Sequence, residues 1–275
     1  MKNTHRWWTA IAVVSGILVC TATHASVEFL GVPGSYAASD GQLARGQTLK
    51  SWTIEVWIKP QVNNVWQGIF QNDSGIAWEG NQFDLSPQGK FDFLDTWGAY
   101  YVVSSPTGSI TPNQWQLLSI VGDGNKLSAY QNGVLVGIGP YPGQASFAAV
   151  HESIFLGAFD FGVLDYATLP DAGWFLGSMA DFRVWDRALT SSDILSHVSL
   201  EPAINDPGLV DWIPFNETSG NTFYDIVSGQ NGTYHNVVLS NDAPFASIPE
   251  PQSYVVFALI AMALTMLRKQ ATPQV

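Results

Sequence analysis

Cysteine is almost absent from this chain. The single one, Cys20, lies near the N-terminus, so no intrachain disulfide can brace the fold and stability must come from packing. Basic residues are scarce too, with 11 Lys and Arg against 23 Asp and Glu. Four of the eleven, Lys2, Arg6, Arg268 and Lys269, sit in the terminal segments. Residues 26–250 thus carry seven basic and 23 acidic groups, a net charge of about −16. That balance argues against nucleic acid and anionic lipid surfaces as partners. Helix signals are nearly missing, and no EF-hand pattern occurs. His151, His197 and His235 stand in no nucleophile-elbow context, which removes the usual support for a Ser-His-Asp site.

What is present begins at the two ends. Lys2, His5 and Arg6 precede a largely apolar run, Thr9 to Cys20, and Thr23-His24-Ala25 offers small residues for cleavage after Ala25. This pattern is a secretory signal peptide over residues 1–25. A lipoprotein reading needs a small residue before the cysteine, and Val19 is a poor one. At the other end Pro249-Glu250-Pro251 is followed by an uncharged, apolar run from Ser253 to Leu267, then Arg268-Lys269. Fifteen such residues make a helix of roughly 22 Å, which the stems of the basic pair help extend toward a bilayer's ~30 Å. The positive pair favours a cytoplasmic C-terminus, with everything before it outside.

Together, the Pro-Glu-Pro triplet, the apolar segment and the basic pair resemble the sorting signal of bacterial PEP-CTERM proteins. The resemblance implies export, handling by an exosortase-type transpeptidase at the inner membrane, and delivery to the cell surface or extracellular matrix of a Gram-negative bacterium. The expected organisation is a signal peptide at 1–25, a folded domain at 26–246 and a sorting segment at 247–275, with a membrane helix over about 252–267.

Between the ends, alternation of apolar and polar residues dominates. In Trp52 to Lys59, Trp52, Ile54, Val56 and Ile58 share one face, while Thr53, Glu55, Trp57 and Lys59 share the other. Trp115 to Val121, Leu127 to Gln131 and Val134 to Ile138 read as a meander, its second turn marked by the hairpin signal Asn132-Gly133. Further strands are expected at 68–71, 81–86, 90–94 and 100–104. One helix is signalled, by the capping-box spacing of Thr190 and Asp193 before Ile194 and Leu195. The expected fold is all-β, a two-sheet antiparallel sandwich.

The segments SWTIEVWIKP, NQWQLLSIVGDGNKLSAYQNGVLVG and GSMADFRVWDRALTSSDI resemble the laminin-G-like, concanavalin A-like jelly roll. GLVDWIPFNETSGNTFYDIVSGQNGTYHNV resembles a unit that often precedes this domain and here follows it, where it can serve as an edge or cross-sheet strand. The likeness runs from about Val27 to Leu239. It implies a jelly roll, frequent carbohydrate binding and often a structural or ligand-bridging calcium.

The same fold hosts glycoside hydrolases, which need two carboxylates about 5–5.5 Å apart for retaining chemistry. No Glu-x-Asp-x-x-Glu run occurs, and Asp92 and Asp95, three apart, fall on opposite strand faces. A non-enzymatic protein is therefore expected. Oxygen-rich loops suit calcium, with Asn72, Asp73, Glu217 and Asp225 as candidate ligands, although Asp and Asn also cap ordinary turns. Trp52, Trp115, Trp185 and Trp212 fall on strands as core residues. Trp66, Trp78, Trp97 and Trp174 fall near turns, where exposed rings can stack on sugars beside polar side chains. Trp97 with Asp95, Tyr100 and Tyr101 forms the best cluster of this kind. The expected role is binding of an extracellular glycan or exopolysaccharide. The alternatives are a structural matrix or biofilm protein without a discrete ligand and, third, a glycoside hydrolase.

Overall fold

The alternating segments form strands, and these assemble into two large antiparallel sheets. The computed structural model describes residues 25–39, 41–61, 64–73, 80–96, 100–147, 154–159 and 173–244. In chain order the strands are β1 (Ser26–Leu30), β2 (Tyr36–Ser39), β3 (Thr48–Leu49), β4 (Trp52–Pro60), β5 (Gln67–Asp73), β6 (Gly80–Leu85) and β7 (Phe91–Asp95). There follow β8 (Tyr101–Ser104), β9 (Gln116–Gly122), β10 (Lys126–Gln131), β11 (Val134–Pro140), β12 (Ala145–Ser146), β13 (Ile154–Leu156) and β14 (Ala158–Phe159). The last are β15 (Gly173–Trp174), β16 (Leu176–Trp185), β17 (Leu209–Ile213), β18 (Thr222–Tyr224), β19 (Asn231–His235) and β20 (Val237–Ser240). Helix α1 (Ser191–His197) stands between β16 and β17.

The first sheet runs β11-β10-β9-β4-β16-β1-β20, with β17 also paired to β16, and the second runs β18-β19-β2-β13-β5-β6-β7-β8. Their inner faces enclose an aromatic core in which Trp52 meets Phe93, Tyr141 and Phe147, and Phe70 meets Phe182. This is the jelly-roll sandwich. The late segment belongs to both layers, because β17 and β20 join the first sheet and β18 and β19 the second.

Local signals explain the connections. Asn132 and Gly133 both take positive φ, 49° and 78°, as a tight hairpin between β10 and β11 requires. Thr190 caps α1 by accepting from the Asp193 amide, while the Asp193 carboxylate accepts from the Thr190 amide. Where β8 and β11 border the sandwich, Gly137 and Gly139 bring their backbone against the carbonyl oxygens of Ser104 and Val102, leaving no room for a side chain.

Trp115, expected in the core, needs correction, and the face of β4 that carries Thr53, Glu55 and Trp57, opposite the sandwich core, is buried as well. The segment after β16, with α1, forms a third layer over this face, packing Leu189 and Ile194 near Trp185 and Trp212, and Val198 near Trp57. Trp115 is only partly buried, and its indole donates to Asp242. A β-bulge in β16 decides which residues face this layer. Ala180 pairs with Trp57 and Arg183 with Glu55, so Asp181 and Phe182 together oppose Val56. Asp181 takes φ 50° there, and the inserted residue turns Phe182 and Val184 into the core while Arg183 points outward.

Among the described residues no helix is long and apolar enough to cross a membrane. Pro249, Glu250, Pro251, Arg268 and Lys269 lie outside the described residues, as does the run at 252–267. Ala25 is buried beside the start of β1.

Candidate functional site

One end of the second sheet gathers the polar residues that the sequence offered for binding. The register aligns Ile154, Asn72, Asn81, Asp95 and Tyr101 in a row across β13, β5, β6, β7 and β8. Their side chains share the inner face with the next row, Phe70, Phe83, Phe93 and Val103. The apolar core thus ends in a polar layer. Asn72 and Asn81 each donate a side-chain N–H to the Ser146 carbonyl oxygen, at 3.3 and 2.8 Å. Their Oδ1 atoms are buried without a hydrogen-bond partner. Asp95 accepts from the Tyr141 hydroxyl. Burial, and then that carboxylate, hold the Tyr141 hydroxyl far above its ordinary pKa.

The predicted ligand-binding residues separate on this frame. Asp95 is buried as a partner of Tyr141, Tyr101 is partly buried edge-on to Tyr141, and Tyr100 is 70% exposed. Trp66 is 40% exposed but precedes β5, at the opposite end from Asn72. About six residues of strand, roughly 20 Å, lie between the two ends. Trp174 lies not on an open turn but in β15, paired with Ala158 and only 4% exposed, with Tyr36 at 6.3 Å. Trp78 and Trp97 lie outside the described residues.

The candidate metal ligands also divide. Asn72 belongs to the polar row, and Asp73 follows it on β5. Glu217 accepts from the Tyr234 hydroxyl at 2.6 Å and from the Tyr224 amide. Asp225 Oδ1 accepts from the amides of Trp212, Val227 and Ser228, a turn-capping arrangement. Asp225 follows β18, four strand spacings from β5, roughly 19 Å along the sheet. Glu217 and Asp225 therefore cannot share an ion with Asn72. Among the described residues no three His, Cys, Asp or Glu side chains converge as metal ligands. The buried amide oxygens of Asn72 and Asn81, near the Asp95 carboxylate, are nevertheless the donor type calcium takes.

Two features of the second sheet's outer face went unread. Tyr36 stacks on His235 at 4.4 Å, with Phe155 beside it. Asp84 on β6 pairs directly with Asp92 on β7. The hairpin signal for that pair was available: Pro87-Gln88-Gly89 turns the chain, closed by the Gly89 amide on the Ser86 carbonyl. Counting back from it aligns the two aspartates.

Comparison with known proteins agrees with this fold. The family model for the concanavalin A-like lectin/glucanases superfamily matches residues 33–195. A native heptameric SAP-like pentraxin from Limulus polyphemus is similar at 15% identity and TM-score 0.53, over 80% of this chain and 95% of that one. A provisionally assigned carbohydrate binding protein from Bacteroides ovatus ATCC 8483 is similar at 17% identity and TM-score 0.54, over 80% of this chain and 62% of that one. At such identities the shared property is the fold. No curated protein matches the chain.

Proposed function

The chain belongs to the concanavalin A-like lectin/glucanases superfamily, and from that premise we propose that it is an exported, non-enzymatic carbohydrate-binding protein of the bacterial surface or matrix. One observation carries the binding reading: an exposed ring, Tyr100, adjoins Tyr101 at the end of the polar row Asn72-Asn81-Asp95. An exposed ring can stack on the apolar face of a pyranose while neighbouring amide and hydroxyl groups meet its hydroxyls. The carbohydrate-binding assignment of the Bacteroides ovatus relative supports the same class of ligand.

Calcium belongs to this proposal as a resident of the polar row. Asn72 and Asn81 would hold it through their unpartnered oxygens, with Asp95 supplying charge. Bound there, calcium would fix the end of the sheet and polarise a nearby sugar hydroxyl. The signal peptide and the Pro-Glu-Pro segment support the exported address.

A glycan array probed with purified protein, in calcium and in chelator, tests the reading. Selective retention that falls in chelator and is lost in Tyr100→Ala is the expected result. Silence in both conditions from a cooperatively folded sample would replace it with a structural matrix role.

A further inference from the structure

We propose a second divalent-cation site on the outer face of the second sheet, built by Asp84, Asp92, Gln82 and Ser104. These four side chains come from three adjacent strands. The register pairs Asp84 with Asp92 and Asp92 with Ser104, and Gln82 precedes Asp84 by two positions on the same face. All four lie opposite the core row of Phe83, Phe93 and Val103. This face is separate from the polar row at the sheet end, whose side chains point inward.

The observation that asks for an ion is an orphaned oxygen. Asp84 is 3% exposed, and its Oδ1 is buried without a hydrogen-bond partner, while Oδ2 accepts only from Gln82 Nε2 at 2.7 Å. A buried carboxylate oxygen left unmatched is costly. Asp92 faces it, 4% exposed, accepting from Lys90 Nζ at 3.0 Å and from the Ser104 hydroxyl. Lys90 pairs with Asp92, and among the described residues no cationic side chain pairs with Asp84. Gly68, the neighbour of Asp84 on β5, sits against the backbone of Ala158 and Phe159, so β14 crosses the face beside the pair. That burial leaves no place for a pyranose ring between the carboxylates, whereas an ion is small enough to reach them.

The donor set names the class of ion. Carboxylate, amide and hydroxyl oxygens suit a hard cation, and the mixed geometry of three strands suits calcium better than the strict octahedron of magnesium. Water would complete the shell. Burial first, and then the charge of Asp92, raise Asp84 well above the ordinary carboxylate range. Lys90 competes with the ion for Asp92.

Calorimetric titration of the intact protein with calcium chloride near pH 7 tests the site. Wild type should take up one more calcium than Asp84→Asn, with a dissociation constant of roughly 0.1–10 mM at that step. Lys90→Gln should bind about tenfold more tightly, a gain that misfolding cannot produce. Asn81→Leu, placed in the other polar row, should leave this step unchanged. Equal stoichiometry and affinity in wild type and Asp84→Asn would overturn the proposal, and so would a Lys90→Gln protein that binds no more tightly.

Discussion

His197 Nδ1 lies 2.8 Å from Glu55 Oε2, joining groups 142 residues apart beneath helix α1. The contact is one strand of a buried network. Glu55 also accepts from Ser119, Arg183 lies 3.9 Å from Glu55 and 3.3 Å from Asp181, and Asp181 accepts from the Trp212 indole. Trp185 stacks on the His197 ring at 5.4 Å. The helix is therefore fastened by a buried polar contact as well as by Ile194. Removing Glu55 would leave the fully buried Arg183 guanidinium with Asp181 as its remaining carboxylate neighbour. Glu55→Ala is expected to cost about 3–5 kcal/mol in urea unfolding. Glu55→Gln, which can keep a hydrogen bond to Ser119, should cost less. The half-exposed Lys59–Asp242 pair, although only 2.6 Å apart, should contribute under about 1 kcal/mol when either partner is truncated.

Asp211 predicts a pH dependence of opposite sign to the usual carboxylate. Burial pushes its pKa up to about 8, the Ala44 amide opposes that rise, and the adjacent Asp225 charge adds to it. The folded state holds a proton that the unfolded chain, titrating near 3.8, has released. Its stabilising effect is complete below pH 3.8 and is lost as pH rises toward 8, by up to about 1.4 kcal/mol per unit. Thermal melts of wild type should fall over pH 5–8 relative to Asp211→Asn, in which this slope disappears. Parallel curves for the two proteins would count against a proton held by Asp211.

The bulge at Asp181 makes a prediction about backbone rather than charge. Both Asp181→Gly and Asp181→Ala lose the ion pair with Arg183 and the hydrogen bond from Trp212, but only glycine accepts φ 50° without strain. The alanine variant should be less stable by about 1 kcal/mol. Paired denaturant melts measure the difference.

Trp66 and Tyr100 test the placement of the glycan surface. Each is exposed, and they stand at opposite ends of the second sheet. Tyr100→Ala should abolish retention on the glycan that wild type selects, with melting temperature unchanged, while Trp66→Ala should bind normally. Trp174→Ala, which empties a covered position beside Ala158, should instead destabilise by about 3–5 kcal/mol.

Local chemistry made the fold legible. Alternation located the central strands, Asn132-Gly133 fixed one hairpin, and Thr190 with Asp193 fixed the helix start, since each signal needs only its neighbours. The buried layer over Glu55 and Trp57 was hidden, because period two reports alternation and not what covers the second face. Asp181 was harder still. Unbroken alternation would turn Asp181 and Arg183 toward the core, and only the inserted residue reverses them. At the site, Asn72 and Asp95 were named separately, while their alignment through Asn81 depends on strand register. Asp92 was compared with Asp95 along one strand, whereas its partner in space is Asp84 across a hairpin.

Gly137 and Gly139 carry a consequence for association between molecules. The borders of the two sheets shield each other there by backbone contact, so neither offers an open template to a strand from another copy. A methyl group at position 137 would meet the Ser104 carbonyl at once, prising β8 from β11 and uncovering both borders together. Such a variant would polymerise at concentrations where the parent stays dispersed, and the two missing side chains thereby guard colloidal behaviour.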